Sequence, residues 1–270
     1  AYFFHESYLG GATLHLLKHA TFMKALGFEV LLCVPESQRY VPDLYARAAA
    51  EGLAIHELPY TCNVKVSSDY QAAYTAPVIA DWMQRNNVGL AHSVTYIEAV
   101  GAACKAISIP HAATLHQYYA SHLSLDQIRS VYRIDAVHSS SHRYADIWSN
   151  LLEVRGAKLC CAVDSAYFDS FDANRRRLTT RPQTQTIRVL LSGTVQPRKN
   201  QLEAIKAIHR LRQDGLSISL KLIGYDQLVG DYYQSCVSYI SDNGLEQVIE
   251  MAGFEADPLQ SYLQADLVLC

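Results

Sequence analysis

The residues best suited to chemistry are the run Gly193-Thr194-Val195-Gln196-Pro197-Arg198-Lys199. It follows an apolar stretch, Ile187 to Ser192, and leads into a helical pattern from Asn200 to Gln213. Arg198 and Lys199 are thus expected at the N-terminus of a helix, where the dipole disfavours positive charge. An anion held between the two cations and the first backbone N–H groups would resolve that conflict. A solvated surface pair is the other reading. The pattern G-x-x-x-x-G-K-[ST] is absent, which excludes an ordinary NTPase loop. Gly10-Gly11 follows the first apolar segment and opens another helix. Glycines there let backbone N–H groups approach a phosphate, although a plain tight turn fits as well. The fingerprint G-x-G-x-x-G is missing, so a nicotinamide enzyme is poorly supported. His116 ends the apolar segment Ala112 to Leu115. Ligands gather at the C-terminal ends of parallel strands, which makes His116 a candidate beside the alternative of a core or turn histidine.

Other chemistries find less support. Eleven histidines include two pairs four residues apart, His15 with His19 and His138 with His142. No H-E-x-x-H occurs and no carboxylate stands at metal-ligand spacing beside either pair, so no metal site is expected. No G-x-S-x-G elbow is present, which weakens a hydrolase reading. The seven cysteines are odd in number and form no C-x-x-C pair. Buried thiols in a reducing compartment explain them better than a disulfide framework.

The elements that must carry these residues alternate in type. Short apolar runs, loops and amphipathic helices repeat, which implies βαβ units and parallel sheets. Strands are expected at residues 1–4, 28–34, 53–58, 88–92, 111–115, 135–139 and 157–162. Helices are expected at 12–26, 40–51, 68–85, 96–107 and 142–152. The first of these helices places Leu16, Ala20 and Met23 on one face. Asp169 to Thr186 is polar and rich in Arg, Thr and Gln, with Pro182 inside it. It marks a linker, 171–186, between a domain at 1–170 and a second α/β block at 187–270. That block shows strands at 187–192, 217–223, 248–251 and 267–270, with helices at 200–213, 231–242 and 259–264. The chain is expected to stop inside a strand, leaving the second domain incomplete.

The chain has 270 residues, 23 basic and 26 acidic, for a formal net charge of −3. That balance excludes general nucleic-acid binding, which requires a basic surplus. Half the residues are hydrophobic, so a substantial core can form. No apolar run reaches the length of a membrane span.

The order of short motifs resembles family 4 glycosyltransferases. Gly10-Gly11-Ala12, a helix, then Gly27-Phe28-Glu29-Val30 is similar to that family's opening, where Gly-His-Glu-Val is usual. Thr114-Leu115-His116 resembles its Thr-x-His strand end, and Ala136 to Ser139 its strand ending in Ser. Ala162-Val163-Asp164 with Phe168 resembles the segment before the domain linker, with Cys161 and Ala162 where Asn-Gly is usual. Gly193 to Asn200 resembles the form Gly-Thr-x-x-Pro-Arg-Lys-Asn, with Thr194 where many relatives carry Arg. Leu222-Ile223-Gly224, Met251-Ala252-Gly253-Phe254 and the segment Tyr262 to Cys270 resemble the next signposts.

The resemblance implies an α/β fold of GT-B type, two Rossmann-like domains with parallel sheets facing a cleft. It implies an N-terminal acceptor domain and a C-terminal nucleotide-sugar domain cut before a donor-site Glu motif. It also implies a retaining, metal-independent hexosyltransferase without a cofactor, inactive in this shortened form. The donor would be a GDP- or UDP-sugar and the acceptor a saccharide or lipid-linked saccharide. His116 would contact the donor sugar as the catalytic residue. Gly10, Gly11, Arg198 and Lys199 would meet the diphosphate, and Gly224, Gly253 and Phe254 would border the base. The location implied is cytoplasmic, compatible with peripheral association at the inner face of a membrane. Two alternatives share the fold: a nucleotide-sugar epimerase, and a non-catalytic module of a larger polysaccharide-assembly protein.

Overall fold

A computed structural model of the chain describes residues 1–5, 10–36, 42–60, 71–95, 97–115, 133–159, 186–224, 230–255 and 257–269. The chain divides into two compact units, Ala1–Ala162 and Val163–Cys270. The expected linker and the segment around Asp164 and Phe168 lie outside the described residues.

The first unit is a seven-stranded parallel sheet. Its strands are β1 (Tyr2–Phe3), β2 (Leu32–Pro35), β3 (Ile55–Leu58), β4 (Ala91–Val94), β5 (His111–Thr114), β6 (Ala136–Ser139) and β7 (Arg155–Lys158). Their spatial order is β3-β2-β1-β4-β5-β6-β7. The helices are α1 (Gly11–Ala25), α2 (Pro42–Ala50), α3 (Ala76–Arg85), α4 (Glu98–Ala106) and α5 (His142–Leu152). Strand alternation sorts the core onto both faces. Tyr2 and Phe4 pack with Leu16, Leu17 and Ala20 of α1, while Phe3 packs with Ile79, Met83 and Val100 on the other side. Phe3, Phe4, Leu16, Ile79 and Met83 are fully buried. Each such side chain contributes about 1.5–3 kcal/mol by leaving water.

The strand order reverses between β1 and β4, and ligands of open parallel sheets collect at such a point, beyond the strand C-termini. Gly10-Gly11 follows β1 there. The Tyr60 hydroxyl, buried, lies 2.6 Å from the Phe4 carbonyl and 2.8 Å from that of Cys33, tying the ends of β1 and β2 together.

Element boundaries differ from expectation in places with identifiable causes. The helix expected over 68–85 is helical over its described part, 71–85, but opens as a wider π-helical segment, Gln71–Thr75, before α3. Pro77 has no N–H to give to the preceding turn, so a regular α-helix cannot run through it. The strand expected at 28–34 begins only at Leu32, because its partner β1 starts at Tyr2. Strand β7 starts at Arg155, earlier than expected, and all four of its residues are exposed at the edge of the sheet. Gly156 within it is required by packing: a Cβ there would lie 2.7 Å from Ser149 Cβ and 2.8 Å from the Ala145 carbonyl of α5.

The second unit has a four-stranded parallel sheet, β8 (Ile187–Ser192), β9 (Ile218–Ile223), β10 (Ile249–Gly253) and β11 (Leu267–Leu269), in the order β10-β9-β8-β11. Its helices are α6 (Gln201–Gln213), α7 (Gly230–Asp242) and α8 (Leu259–Gln264). Val189, Leu191, Leu220 and Leu222 form its main core with Ile205, Ile208 and Ile240 of the helices. Its order reverses between β8 and β11, so the loop after β8 occupies the switch point. Among the described residues, Cys33, Cys104 and Cys236 are buried free thiols. No helix among them is long and apolar enough to cross a membrane.

Ten of the eleven histidines precede residue 163, leaving His209 alone in the second unit. Four rings form a contiguous group in the first unit. Ring centroids are 5.6 Å apart for Tyr2–His19, 5.2 Å for Tyr2–His92, and 5.3 Å for both His19–His92 and His92–His138. His92 Nε2 is hydrogen bonded to Thr114 Oγ1 at 2.7 Å. On the opposite face, His111 Nδ1 donates to the Arg133 carbonyl at 2.7 Å, and its Nε2 meets Ser93 Oγ at 2.8 Å. Burial holds His92 well below its ordinary value of 6.5, helped by His138, His19, His111 and the Ala1 amino group. Burial likewise pushes His111 down to about 4, against the opposing pull of the Arg133 carbonyl and Asp135.

An unfolded chain binds these protons near pH 6.5 and the folded unit does not, so stability is lost as pH falls below 6.5. Between pH 6.5 and 5, His111 should cost about 2 kcal/mol, and His92 acts in the same direction. Hydrogen exchange at pH 7 and pH 5 should show protection falling in β1, β4, β5 and β6 well before β8 and β9. Equal loss in both units would contradict this account.

Candidate functional site

Three strands of the second unit end in glycines that touch one another. Gly193 follows β8, Gly224 follows β9 and Gly253 ends β10. Their φ angles are +150°, +151° and +76°, values that residues with a Cβ rarely adopt. The Gly193 N–H donates to the Ile223 carbonyl at 2.8 Å, and the Gly224 N–H donates to the Gly253 carbonyl at 2.7 Å. A Cβ on Gly224 would fall 2.1 Å from the Gly193 carbonyl oxygen and 3.0 Å from Thr194 N. Glycine is therefore needed for two loop backbones to lie directly against each other.

The cationic segment folds back over this row. Pro197–Lys199 is a single 3-10 turn, closed by Asn200 at φ +58°. Helix α6 starts only at Gln201. The cations thus stand one turn ahead of the helix rather than within its first turn, which carries Glu203. The dipole conflict expected from sequence is removed by that left-handed Asn200. The Lys199 stem crosses Gly193, with Cε, Cδ and Cγ at 3.5, 3.6 and 3.8 Å from where a Cβ would be. Among the described residues, Lys199 Nζ has no hydrogen-bond or ion-pair partner. Arg198 beside it is also exposed.

Gln201 holds the loop in this shape. It is 1% exposed. Its Nε2 donates to the Thr194 carbonyl at 2.9 Å, and its Oε1 accepts from the Gln196 N–H at 3.3 Å. Burying an amide costs free energy unless it is paired, so these bonds fix the loop conformation. Sequence reasoning missed Gln201, since a glutamine opening a helix carries no signal of its own. It also missed Lys221, Glu255 and Ser261, which form a closed polar group beside Phe254. Phe254 follows Gly253 and is 37% exposed. The assembled loop therefore offers a cation, close-approaching backbone and an exposed aromatic ring at the C-terminal ends of three strands. That combination suits a ligand with an anionic part and a planar part.

The other candidates fall in the first unit. Gly10 is extended at φ −90° and ψ 169°, and α1 begins at Gly11 without a side-chain cap. A Cβ on Gly11 would meet nothing within 4 Å, so no clash demands this glycine. Thr13 in the first turn is fully buried, and among the described residues its Oγ1 has no hydrogen-bond partner. His116 lies outside the described residues, and β5, which precedes it, ends at Thr114. The histidine pairs separate into different settings. His15 is buried, while His19 Nδ1 pairs with the Tyr2 hydroxyl at 2.8 Å. Among the described residues, no group of three His, Cys, Asp or Glu side chains is arranged to hold a metal ion.

The sequence profile of Glycosyltransferase Family 4 matches residues 9–177. No curated protein matches the chain by sequence. Among solved structures, the chain is similar to a glycosyltransferase from Rickettsia africae, with TM-score 0.69 and 14% identity. The match covers 99% of this chain and 71% of that one. It is also similar to Anabaena Alr3699/HepE in complex with UDP-glucose, with TM-score 0.70 and 20% identity over 99% of this chain and 72% of that one. A UDP-GlcNAc 2-epimerase from Neisseria meningitidis bound to UDP-GlcNAc gives TM-score 0.58 and 11% identity, with 99% and 75% covered. The two parallel sheets, of seven and four strands, are of GT-B type.

Gly224→Ala should destabilise the second unit by at least about 1–3 kcal/mol, the usual cost of overpacking, with the φ strain added. Gly11→Ala, whose Cβ enters open space, serves as the control. Thermal unfolding that leaves the Gly224 variant level with the control would refute the close approach.

Proposed function

The chain belongs to glycosyltransferase family 4, and from that premise we propose that it moves a hexose from a nucleotide sugar to an acceptor with retention of configuration. The acceptor we assign is a saccharide or a lipid-linked saccharide. The donor is a UDP- or GDP-sugar. The observation that carries the reading is the glycine row of the second unit with Lys199 laid across it. A nucleoside diphosphate has the two parts that this surface suits, a diphosphate and a planar base.

The chemistry asked of the protein is limited and electrostatic. The bond between the anomeric carbon and the diphosphate oxygen breaks, and the acceptor hydroxyl oxygen forms the new bond on the same face of the sugar. The acceptor proton leaves with the diphosphate. Negative charge grows on the departing oxygen while the sugar becomes oxocarbenium-like. Fixed donors aimed at that oxygen lower the barrier because they need no reorganisation. Lys199 and Arg198 are the residues we assign to it, in place of a metal ion. Gly224, Gly253 and Phe254 border the base. We assign residues 1–170, which include the whole first unit, to the acceptor, His116 to the donor sugar near its reacting carbon, and the Gly10-Gly11 helix start to a phosphate contact. Residues 171–186 join the two units in this reading. Membership of a transferase family favours transfer over the epimerase alternative. Exposed Phe22, Leu26 and Phe28 around the end of α1 suit peripheral contact with a membrane carrying a lipid-linked acceptor.

Calorimetric titration with UDP and with GDP tests the donor site. One of the two should bind, and Lys199→Ala should weaken it by about 1.5–3 kcal/mol, the worth of one charge-assisted hydrogen bond. Binding should persist in EDTA, as should sugar transfer by a protein that also carries the donor-site Glu motif. Unchanged affinity in a folded Lys199→Ala protein removes the lysine from the site, and transfer that requires an added divalent ion removes the metal-free reading.

A further inference from the structure

Beside the glycine row lies a polar triangle that the donor reading does not use. Lys221 is on β9, Glu255 lies just after β10, and Ser261 is on α8. Lys221 Nζ is 2.7 Å from Glu255 Oε1 and 3.0 Å from Ser261 Oγ, and Ser261 Oγ donates to Glu255 Oε2 at 2.6 Å. The side chains of Lys221 and Glu255 are only 30% and 25% exposed. A half-buried ion pair gains little net stability, because desolvation offsets most of the attraction. What a closed, hydrogen-bonded pair provides is geometry. Glu250, which stands opposite Lys221 in the β9–β10 ladder, is exposed, and Lys221 reaches instead to Glu255 in the turn.

That turn contains Phe254, and it is held on both sides. Before Phe254, the Gly253 carbonyl accepts from the Gly224 N–H at 2.7 Å. After it, Glu255 is fixed to β9 and α8 by the triangle. Next, Asp257 Oδ1 accepts from the Leu259 N–H at 3.1 Å at the start of α8. Burial alone would raise the Glu255 carboxyl, but Lys221 and Ser261 outweigh it and keep the group below its ordinary range. The carboxylate therefore stays charged and paired.

We propose that the Lys221–Glu255–Ser261 triangle is a positioning device that sets the Gly253–Phe254 turn as the seat of the donor's base. It governs affinity for the nucleoside part of the donor and leaves the diphosphate part to Lys199. The inference rests on the donor site assigned above.

Three probes separate the two: UDP, GDP and inorganic pyrophosphate, titrated into the whole protein. Lys221→Met and Glu255→Gln should each weaken the preferred nucleoside diphosphate about tenfold, the loss of one charge-assisted contact, while pyrophosphate changes by less than about twofold. The exchanged pair, Lys221→Glu with Glu255→Lys, should recover most of the lost affinity, since Ser261 can donate or accept. Circular dichroism confirms that each variant is folded. Equal weakening of all probes, or weakening of none, overturns the positioning role. A parent protein that binds pyrophosphate but neither nucleotide also overturns it, while the phosphate contact at Lys199 stands. A parent protein that binds none of the three removes the donor site itself, and the inference with it.

Discussion

The second unit is organised around one close contact, the backbone of Gly224 against the Gly193–Thr194 peptide. With a Cβ at Gly224 only 2.1 Å from the Gly193 oxygen, nothing larger than hydrogen fits there. The contact follows from the parallel ladder. Strands β8 and β9 run in register from Ile187↔Ile218 to Ser192↔Ile223. Their loops therefore leave the sheet at the same level and must turn together. Once Gly224 lies on Gly193, Lys199 has a flat backbone to cross, and Gln201 has two loop groups to bind. The surface at the strand ends is thus shaped by backbone, with side chains placed over it. A surface of that kind can approach a ligand more closely than one lined by Cβ atoms.

The two units use the same topological device with different materials. In each, the first strand is central and its following loop sits where the order reverses. The second unit fills that place with positive-φ glycines and exposed cations. The first fills it with the helix start at Gly10-Gly11 and the buried Thr13 hydroxyl. It also carries His15, His92 and His111 as buried rings, and burial lowers the basicity of the last two. Lowered basicity there is a cost of packing polar rings among apolar strands, and it makes this unit the more acid-sensitive half.

Most strands were legible because a parallel strand buried on both faces is a continuous apolar run. Residues 187–192 show this, with bounds in full agreement. Strand β7 was misplaced because Arg155-Gly156-Ala157-Lys158 has no apolar pattern, and its strand character comes from the β6 ladder alone. The π-helical segment before α3 was hidden because helical periodicity gave no warning of Pro77. At the candidate site, the motif Gly193 to Lys199 stood out by its place between a strand and a helix, and the glycines at 224 and 253 through the family resemblance. Gln201 and the Lys221–Glu255–Ser261 group did not. Gln201 binds backbone groups five and seven residues back that come within reach only once the loop has folded, and the partners in the triangle lie up to 40 residues apart and meet only after the sheet forms. Interactions of that range leave no local signature. His116 belongs to a segment outside the described residues.

Strand β7 also bears on how the protein behaves in company. The margin of a sheet is a template that any stray strand can copy, and long apolar margins seed aggregates. Here the margin is four residues long, wholly exposed, and tipped at each end by a cation, Arg155 and Lys158. Two molecules meeting edge to edge would set their backbones about 4.8 Å apart, the spacing of neighbouring strands, and crowd these like charges together. Mutual repulsion between them discourages end-on stacking, so the short, charged border acts as a guard on solubility. The sequence feature that made β7 hard to recognise as a strand is the one that keeps it from recruiting another.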